Sequence, residues 1–107
     1  MRYEVRLTET AERDIREIAS YIVSWSKDRG LAKRTVNSLM EECETLESLP
    51  NRGALPKDHM LRAAGYRFLS HGEYLIFYKV GEETQTVFVM AVLNGRRDYM
   101  RFLDHLL

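Results

Sequence analysis

The chain has one cysteine, two prolines, one tryptophan and no excess of either charge among its 107 residues. A lone thiol excludes an internal disulfide, and Cys43 belongs to no cluster with metal-ligand spacing. It falls on the apolar stripe of a helical segment, which reads as a buried core thiol, not a reactive one. Sixteen acidic side chains cancel sixteen basic ones, which argues against a protein that coats nucleic acid by bulk charge. No apolar run approaches the roughly 18 residues a membrane-crossing helix needs. The start "MRYEVRLTET" lacks the apolar centre of a signal peptide, so the expected setting is the cytoplasm, with no membrane partner. Also missing are a phosphate-binding glycine loop, a Cys/His set spaced for zinc and a nucleophile elbow. No metal and no cofactor is therefore expected.

What is present is a globular balance, 45% apolar and 30% charged, in a chain of the size of one domain spanning 1–107. Such a domain buries about 65% of the surface its unfolded chain exposes, so its core is marginal and a bound partner should stabilise it. Charge is unevenly placed. "NSLMEECETLESL" carries four glutamates and no base. Further on, Arg52, Lys57, Arg62 and Arg67 are opposed only by Asp58, and the end sets Arg96, Arg97 and Arg101 against Asp98 and Asp104.

"RYEVRLT" alternates Tyr3, Val5 and Leu7 with Arg2, Glu4 and Arg6, the period of a strand with one buried face. Thr8 can cap the helix that follows, with Ala11, Ile15, Ile18, Ala19, Ile22 and Trp25 at helical spacing. The pattern breaks in "SKDRG" at Gly30 and resumes through Val36, Leu39, Met40, Cys43, Leu46 and Leu49 until Pro50. Two antiparallel helices result. Residues 51–61 read as loop. Then come the β-rich runs "AAGYRFL" and "YLIFYKV", with a turn over Ser70, His71, Gly72 and Glu73, and a third run, "TVFVMAVL". The last two are apolar almost throughout, as expected of central strands buried on more than one face. The tail "RRDYMRFLDHLL" has helical spacing. The expected fold is α+β: an N-terminal strand, a helical hairpin on one face of a mainly antiparallel sheet, a three-stranded antiparallel meander completing it, and a short C-terminal helix.

That order, carried by "YEVRLTETAERDIREIASYI", "LESLPNRG", "YRFLSHGEYLIFYKV" and "VFVMAVLNGRRDYMRFL", resembles the RelE/ParE superfamily of toxins from bacterial type II toxin–antitoxin modules. The resemblance covers essentially the whole chain. It is nearest to the ParE branch in the L-P-x-x-G after the second helix and the "GRRDY" after the last strand. It implies a small toxin held inactive by a cognate ParD-like antitoxin that wraps around it. ParE-like toxins are associated with inhibition of DNA gyrase, and RelE-like relatives with cleavage of messenger RNA on the ribosome. Direct DNA binding belongs more naturally to the antitoxin than to a toxin of neutral charge.

The two chemistries ask for different side chains. RNA cleavage through the 2′-hydroxyl needs a base, cations on the phosphate and an acid for the leaving oxygen. On the nuclease reading, Arg67, Arg96 and Arg97 would hold phosphate while Tyr99 or His71 moves protons, with His105 a further possible part. A complete set is not evident, and no residue is singled out as catalytic on the reading preferred here. His71 is expected in a solvated turn, His105 on a terminal helix surface and His59 in a loop without a partner. Tyr66, Tyr74, Phe77 and Tyr78 read first as sheet packing, second as base-stacking surfaces. Arg67 should face away from Phe68, and arginines converging on a concave sheet face would suit phosphates or antitoxin carboxylates equally. The contact candidates, for antitoxin or cellular target, are Arg67, Arg96, Arg97, Tyr99, Arg101 and Trp25. Tyr99 either projects or packs back on the sheet, and Trp25 either closes the helical hairpin or stays half exposed. The acidic second helix, Glu41 to Glu47, is a solvated face first and a seat for a basic partner second. On balance "GRRDY" is expected to organise protein contacts.

Overall fold

In a computed structural model, residues 2–106 are described, apart from the side chains of Arg96, Arg97, His105 and Leu106. Strand β1, Glu4–Leu7, turns its odd-numbered residues inward: Val5 and Leu7 pack on the main core, as does Tyr3 just before it. Thr8 then performs two tasks. Its hydroxyl oxygen accepts from the Ala11 N–H at 3.1 Å, capping helix α1, Glu9–Ser26, and its proton is directed at the Val89 carbonyl 3.0 Å away. The cap thereby fixes where α1 begins relative to the sheet.

The break between the helices falls two residues earlier than Gly30. Lys27 adopts the left-handed conformation at φ 58°, and the Asp28 carboxylate caps helix α2, Arg29–Glu44, by accepting from the Leu31 N–H at 3.0 Å. Gly30 lies inside the first turn of α2. A carboxylate that satisfies a free helix-end N–H decides the start more strongly than a glycine, which offers no such bond. The apolar stripe of α2 runs on through a 3-10 turn, Thr45–Glu47, and ends at buried Leu46; Leu49 is exposed.

The stretch read as loop contains a short helix, α3, His59–Ala63, capped by Asp58. Ala63 therefore ends a helix and does not open a strand. After Gly65, at φ 90°, strand β2 occupies Tyr66–His71, a two-residue turn at Gly72 and Glu73 leads to β3, Tyr74–Gly81, and β4 follows at Thr86–Asn94. His71 is thus paired with Tyr74 as the last residue of β2 and does not lie in the turn. Helix α4, Gly95–Leu106, follows β4.

The sheet order is β1-β4-β3-β2. β2, β3 and β4 form the antiparallel meander, and β1 joins β4 in parallel, so the sheet is mixed. Between Phe77↔Ala91 and Tyr78↔Val89 the register slips, leaving Met90 as the extra residue of a bulge on β4. Thr8 Oγ1 lies 3.2 Å from the Met90 carbonyl, which ties the bulge to the start of α1.

Both faces of β3 and β4 are covered, as their continuous apolar runs imply. On one face the hairpin supplies Ile15, Ile18, Ile22, Leu39, Cys43 and Leu46 against Ile76, Tyr78, Val87, Val89 and Val92. On the other, a smaller core of Leu61, Tyr66, Phe77, Ala91 and Leu93 lies under α3 and α4. Among the described residues, no buried side-chain nitrogen or oxygen lacks a hydrogen-bond partner, and no helix is long and apolar enough to cross a membrane.

Candidate functional site

The segment "NGRRDY" makes a sharp corner. Gly95, at φ 79°, turns the chain out of β4, and the Asp98 carboxylate reaches back to accept from the Asn94 N–H at 3.1 Å. That bond satisfies a backbone donor at the start of α4, where the helix end is positive. From this corner α4 folds back over the second sheet face. Tyr99 stacks on Phe77 with centroids 6.0 Å apart and an interplanar angle of 25°. Phe102 sits 5.3 Å from Phe77 and meets Tyr66 edge-on at 5.6 Å, while Phe68 lies 5.6 Å from Phe77. Tyr99 therefore packs back on the sheet, with its hydroxyl pKa raised by burial and by the nearby Asp58 carboxylate. Arg101 stays on the outer side of α4, exposed and 3.5 Å from Asp98. The side chains of Arg96 and Arg97, and of His105, lie outside the described residues.

The rings of Tyr66, Phe68, Phe77, Tyr99 and Phe102 fill this face. Lys79 stands at its edge, its ammonium 4.6 Å above the Tyr66 ring. Such a surface offers apolar area and one held cation. General acid–base catalysis needs ionisable groups within about 3 Å of the proton to be moved; among the described residues the rings of this cluster carry tyrosine hydroxyls whose pKa values are pushed up by burial, with Lys79 at the edge and Asp58 near Tyr99.

Arg67 lies elsewhere. It faces away from Phe68, as strand alternation requires, and its guanidinium donates to the Gly53 carbonyl at 2.9 Å and the Asn51 carbonyl at 3.3 Å. Arg67 and Tyr99 are on opposite faces of the sheet and do not form one site. The arginine serves the L-P-x-x-G motif. Gly53 donates its N–H to the buried Tyr78 hydroxyl at 2.9 Å, and Ala54 pairs with Phe68 in a β-bridge. A Cβ on Gly53 would stand 2.6 Å from the Tyr78 oxygen and 2.8 Å from the Phe68 carbonyl. Only glycine permits this approach.

His71 is half-buried, not solvated. Its Nδ1 is 2.8 Å from Glu42 and its Nε2 2.5 Å from the Ser38 hydroxyl, while the other Glu42 oxygen takes a 2.9 Å bond from Arg52. The His71 hydrogen bond is the main reason the Glu42 carboxyl titrates below its usual range; burial opposes it and Arg52 assists. Hydroxyl, imidazole and carboxylate stand in the order of a nucleophilic triad. Ser38, however, lies inside α2, where its N–H belongs to the helix ladder and gives no oxyanion donor. The chain of bonds works as a strut between α2, the tip of β2 and the motif loop.

Trp25 does not close the hairpin: it is 61% exposed on α1, one turn from Tyr21, equally exposed. Cys43 is buried, its thiol pushed up to about 11 by desolvation, which makes it inert. Among the described residues no group of histidine, cysteine and carboxylate side chains is arranged to hold a metal ion. Sequence reasoning missed Ser38, Glu42, Arg52 and Tyr78 as a connected set. The one available signal was Gly53 in its motif.

The sequence profile of the ParE toxin of the type II toxin–antitoxin system, parDE, matches residues 5–99. No curated protein sequence matches at a significant level. Among solved structures, the chromosomal ParDE system of P. aeruginosa is similar with a TM-score of 0.73 at 17% identity, covering 88% of this chain and 97% of that one. The RelBE2 toxin–antitoxin complex of Mycobacterium tuberculosis gives 0.66 at 24% identity, covering 88% and 92%. A mutant of the E. coli toxin RelE in the free state gives 0.62 at 17% identity over 100% of both chains. These structural likenesses establish a shared fold of strand, helical hairpin, meander and terminal helix, and the profile match over most of the chain establishes the family: the chain belongs to the ParE toxins of type II toxin–antitoxin systems.

Proposed function

We propose that this toxin acts by binding, with DNA gyrase as its target and no bond-making chemistry of its own, and that a cognate ParD-like antitoxin neutralises it in the cytoplasm. The observation that carries this reading is the filling of the sheet face under α4. Where a nuclease of RelE type would set several cations and a proton carrier, the described residues of this face are a chain of ring contacts through Tyr66, Phe68, Phe77, Tyr99 and Phe102, with Lys79 at its edge. Arg67, a candidate for phosphate, is held by two backbone carbonyls on the opposite face. His71, a candidate base, is engaged on both ring nitrogens. A large apolar cluster lidded by a single helix is suited to protein contact. An antitoxin partner is in keeping with the ParDE and RelBE2 assemblies that share the fold.

The experiment is gyrase supercoiling of relaxed plasmid with increasing toxin, run beside primer extension on messenger RNA from translating ribosomes. Loss of supercoiling with intact RNA is the expected result, and restoration by co-purified antitoxin completes it. Codon-phased RNA cuts with normal supercoiling would replace this reading with the ribosome-dependent endoribonuclease.

A further inference from the structure

Tyr21 and Trp25 sit four residues apart on α1, so their rings share one flank of the helix. Each is 61% exposed. Ala19 and Val23 line the groove toward Arg29 of α2, whereas Tyr21 and Trp25 lie on the flank of Asp14, whose carboxylate accepts from the Val92 N–H of β4 at 2.9 Å. The aromatic pair therefore borders the sheet, away from the second helix. Tyr74, at the start of β3, is buried in the core beneath α1 with Ile18 and Ile22, and its hydroxyl pKa is raised by burial first, then by Glu73, and also by Tyr21.

Among the described residues the rim of this surface is acidic. Glu17 lies one turn before Tyr21, Glu73 adjoins Tyr74, and Asp14 feels both Glu17 and Asp98. Burial, assisted by those two carboxylates, raises the Asp14 pKa. Among the described residues Glu17 and Glu73 have no ion-pair partner, and Glu73 accepts from the neighbouring Tyr74 hydroxyl. Of the described cations nearby, Arg13 lies close enough to lower the Asp14 pKa, and Lys27 turns its ammonium to the Ser24 carbonyl. Two open rings with carboxylates beside them fit one kind of side chain best. Guanidinium stacks on tryptophan and tyrosine faces and bonds carboxylate in a fork, whereas ammonium does only the first and less well.

We infer that the Tyr21–Trp25 flank of α1 is a docking surface for a polypeptide segment that presents arginine side chains. One guanidinium stacks on Trp25 or Tyr21 while its fork, or that of a neighbour, meets Glu17 or Glu73. Tryptophan, tyrosine and arginine are the residues that dominate interface energies, and an exposed aromatic pair costs the free toxin hydration that a partner relieves. The surface stands apart from the gyrase reading. It concerns the opposite face of the sheet from the α4 ring cluster and holds whichever cellular target the toxin has.

Trp25 is the only tryptophan in the chain, so its emission reports on this surface alone. The test is a titration of the purified toxin with hexa-arginine, hexalysine and hexaglutamate peptides. Hexa-arginine should give a saturable change in Trp25 emission that weakens with added salt, hexalysine a weaker one, and hexaglutamate none. Tyr21→Ala and Glu17→Gln should each weaken hexa-arginine binding about tenfold, while Glu44→Gln, an exposed change on α2, leaves it unaltered. No emission change, an equal response to hexaglutamate, or unaltered affinity in both Tyr21→Ala and Glu17→Gln would overturn the proposal.

Discussion

The hydroxyl of Tyr78, at the centre of the sheet, accepts a 2.9 Å hydrogen bond from the Gly53 N–H, so the loop after the second helix is seated directly on a buried strand residue. The L-P-x-x-G motif is thereby a structural fastening. Gly53→Ala would press a methyl group within 2.6 Å of that hydroxyl and 2.8 Å of a backbone carbonyl that cannot move aside. A loss of about 1–3 kcal/mol is expected. Tyr78→Phe should cost about 1–3 kcal/mol by leaving a buried N–H unpaired. In the double variant the two costs should not add, because removing the oxygen relieves part of the clash. Denaturant unfolding of the three variants checks this, and strict additivity would contradict it.

Helix α4 is held by its rings. Phe102→Ala removes contacts to both Phe77 and Tyr66, and the expected loss is about 2 kcal/mol, below the value for a fully enclosed phenylalanine because Phe102 is half-buried. If α4 unseats, the Tyr66–Phe77 face opens. Increased binding of a hydrophobic dye by Phe102→Ala, with the far-UV signal largely retained, is the corresponding measurement.

The Glu42 carboxyl titrates lower in the folded chain than in the unfolded one, first through His71 and with help from Arg52. A depressed carboxylate adds stability that is fully present above the unfolded value of 4.5 and is lost as pH falls through the folded value. Glu42→Gln should therefore cost about 1–2 kcal/mol near neutrality, and the gap between variant and parent should narrow as pH falls below 4.5 and close once it has passed the lower folded value. Thermal melts across the acid range decide it. A gap that stays constant with pH would mean that the carboxylate charge contributes nothing.

Asp14 carries the reverse sign. Burial raises its pKa, so the ionised form is disfavoured in the folded chain, and this contribution grows less favourable as pH rises past the unfolded value. Asp14→Asn keeps an oxygen acceptor for the Val92 N–H while removing the buried charge. Stability at neutral pH should be equal or higher, by up to about 1 kcal/mol, and a clear loss would contradict this account.

The alkylation of Cys43 by iodoacetamide should be slow in the native protein and fast in denaturant, since its thiol is buried and its pKa is pushed up to about 11. Mass spectrometry after a timed pulse measures it. Rapid native labelling would mean that α2 separates from the sheet.

What the sequence alone determined is what depends on neighbours along the chain. The alternation of Tyr3, Val5 and Leu7, the helical spacing from Ala11 to Ile22, the cap at Thr8 and the continuous apolar runs of the last two strands each specify an element locally, because period and capping are properties of a few consecutive residues. Where two local signals competed, as at Asp28 and Gly30, the one that forms a hydrogen bond prevailed. The site was less legible. Whether Arg67 holds a phosphate or two carbonyls, whether His71 is solvated or clasped by Ser38 and Glu42, and whether Tyr99 projects or stacks on Phe77 are questions about partners 14 to 33 positions away. Those pairings arise only when the hairpin closes over one sheet face and α4 over the other. Tertiary structure decided them because an ionisable or aromatic side chain has many possible partners in sequence and only those that packing brings within a few ångströms in space.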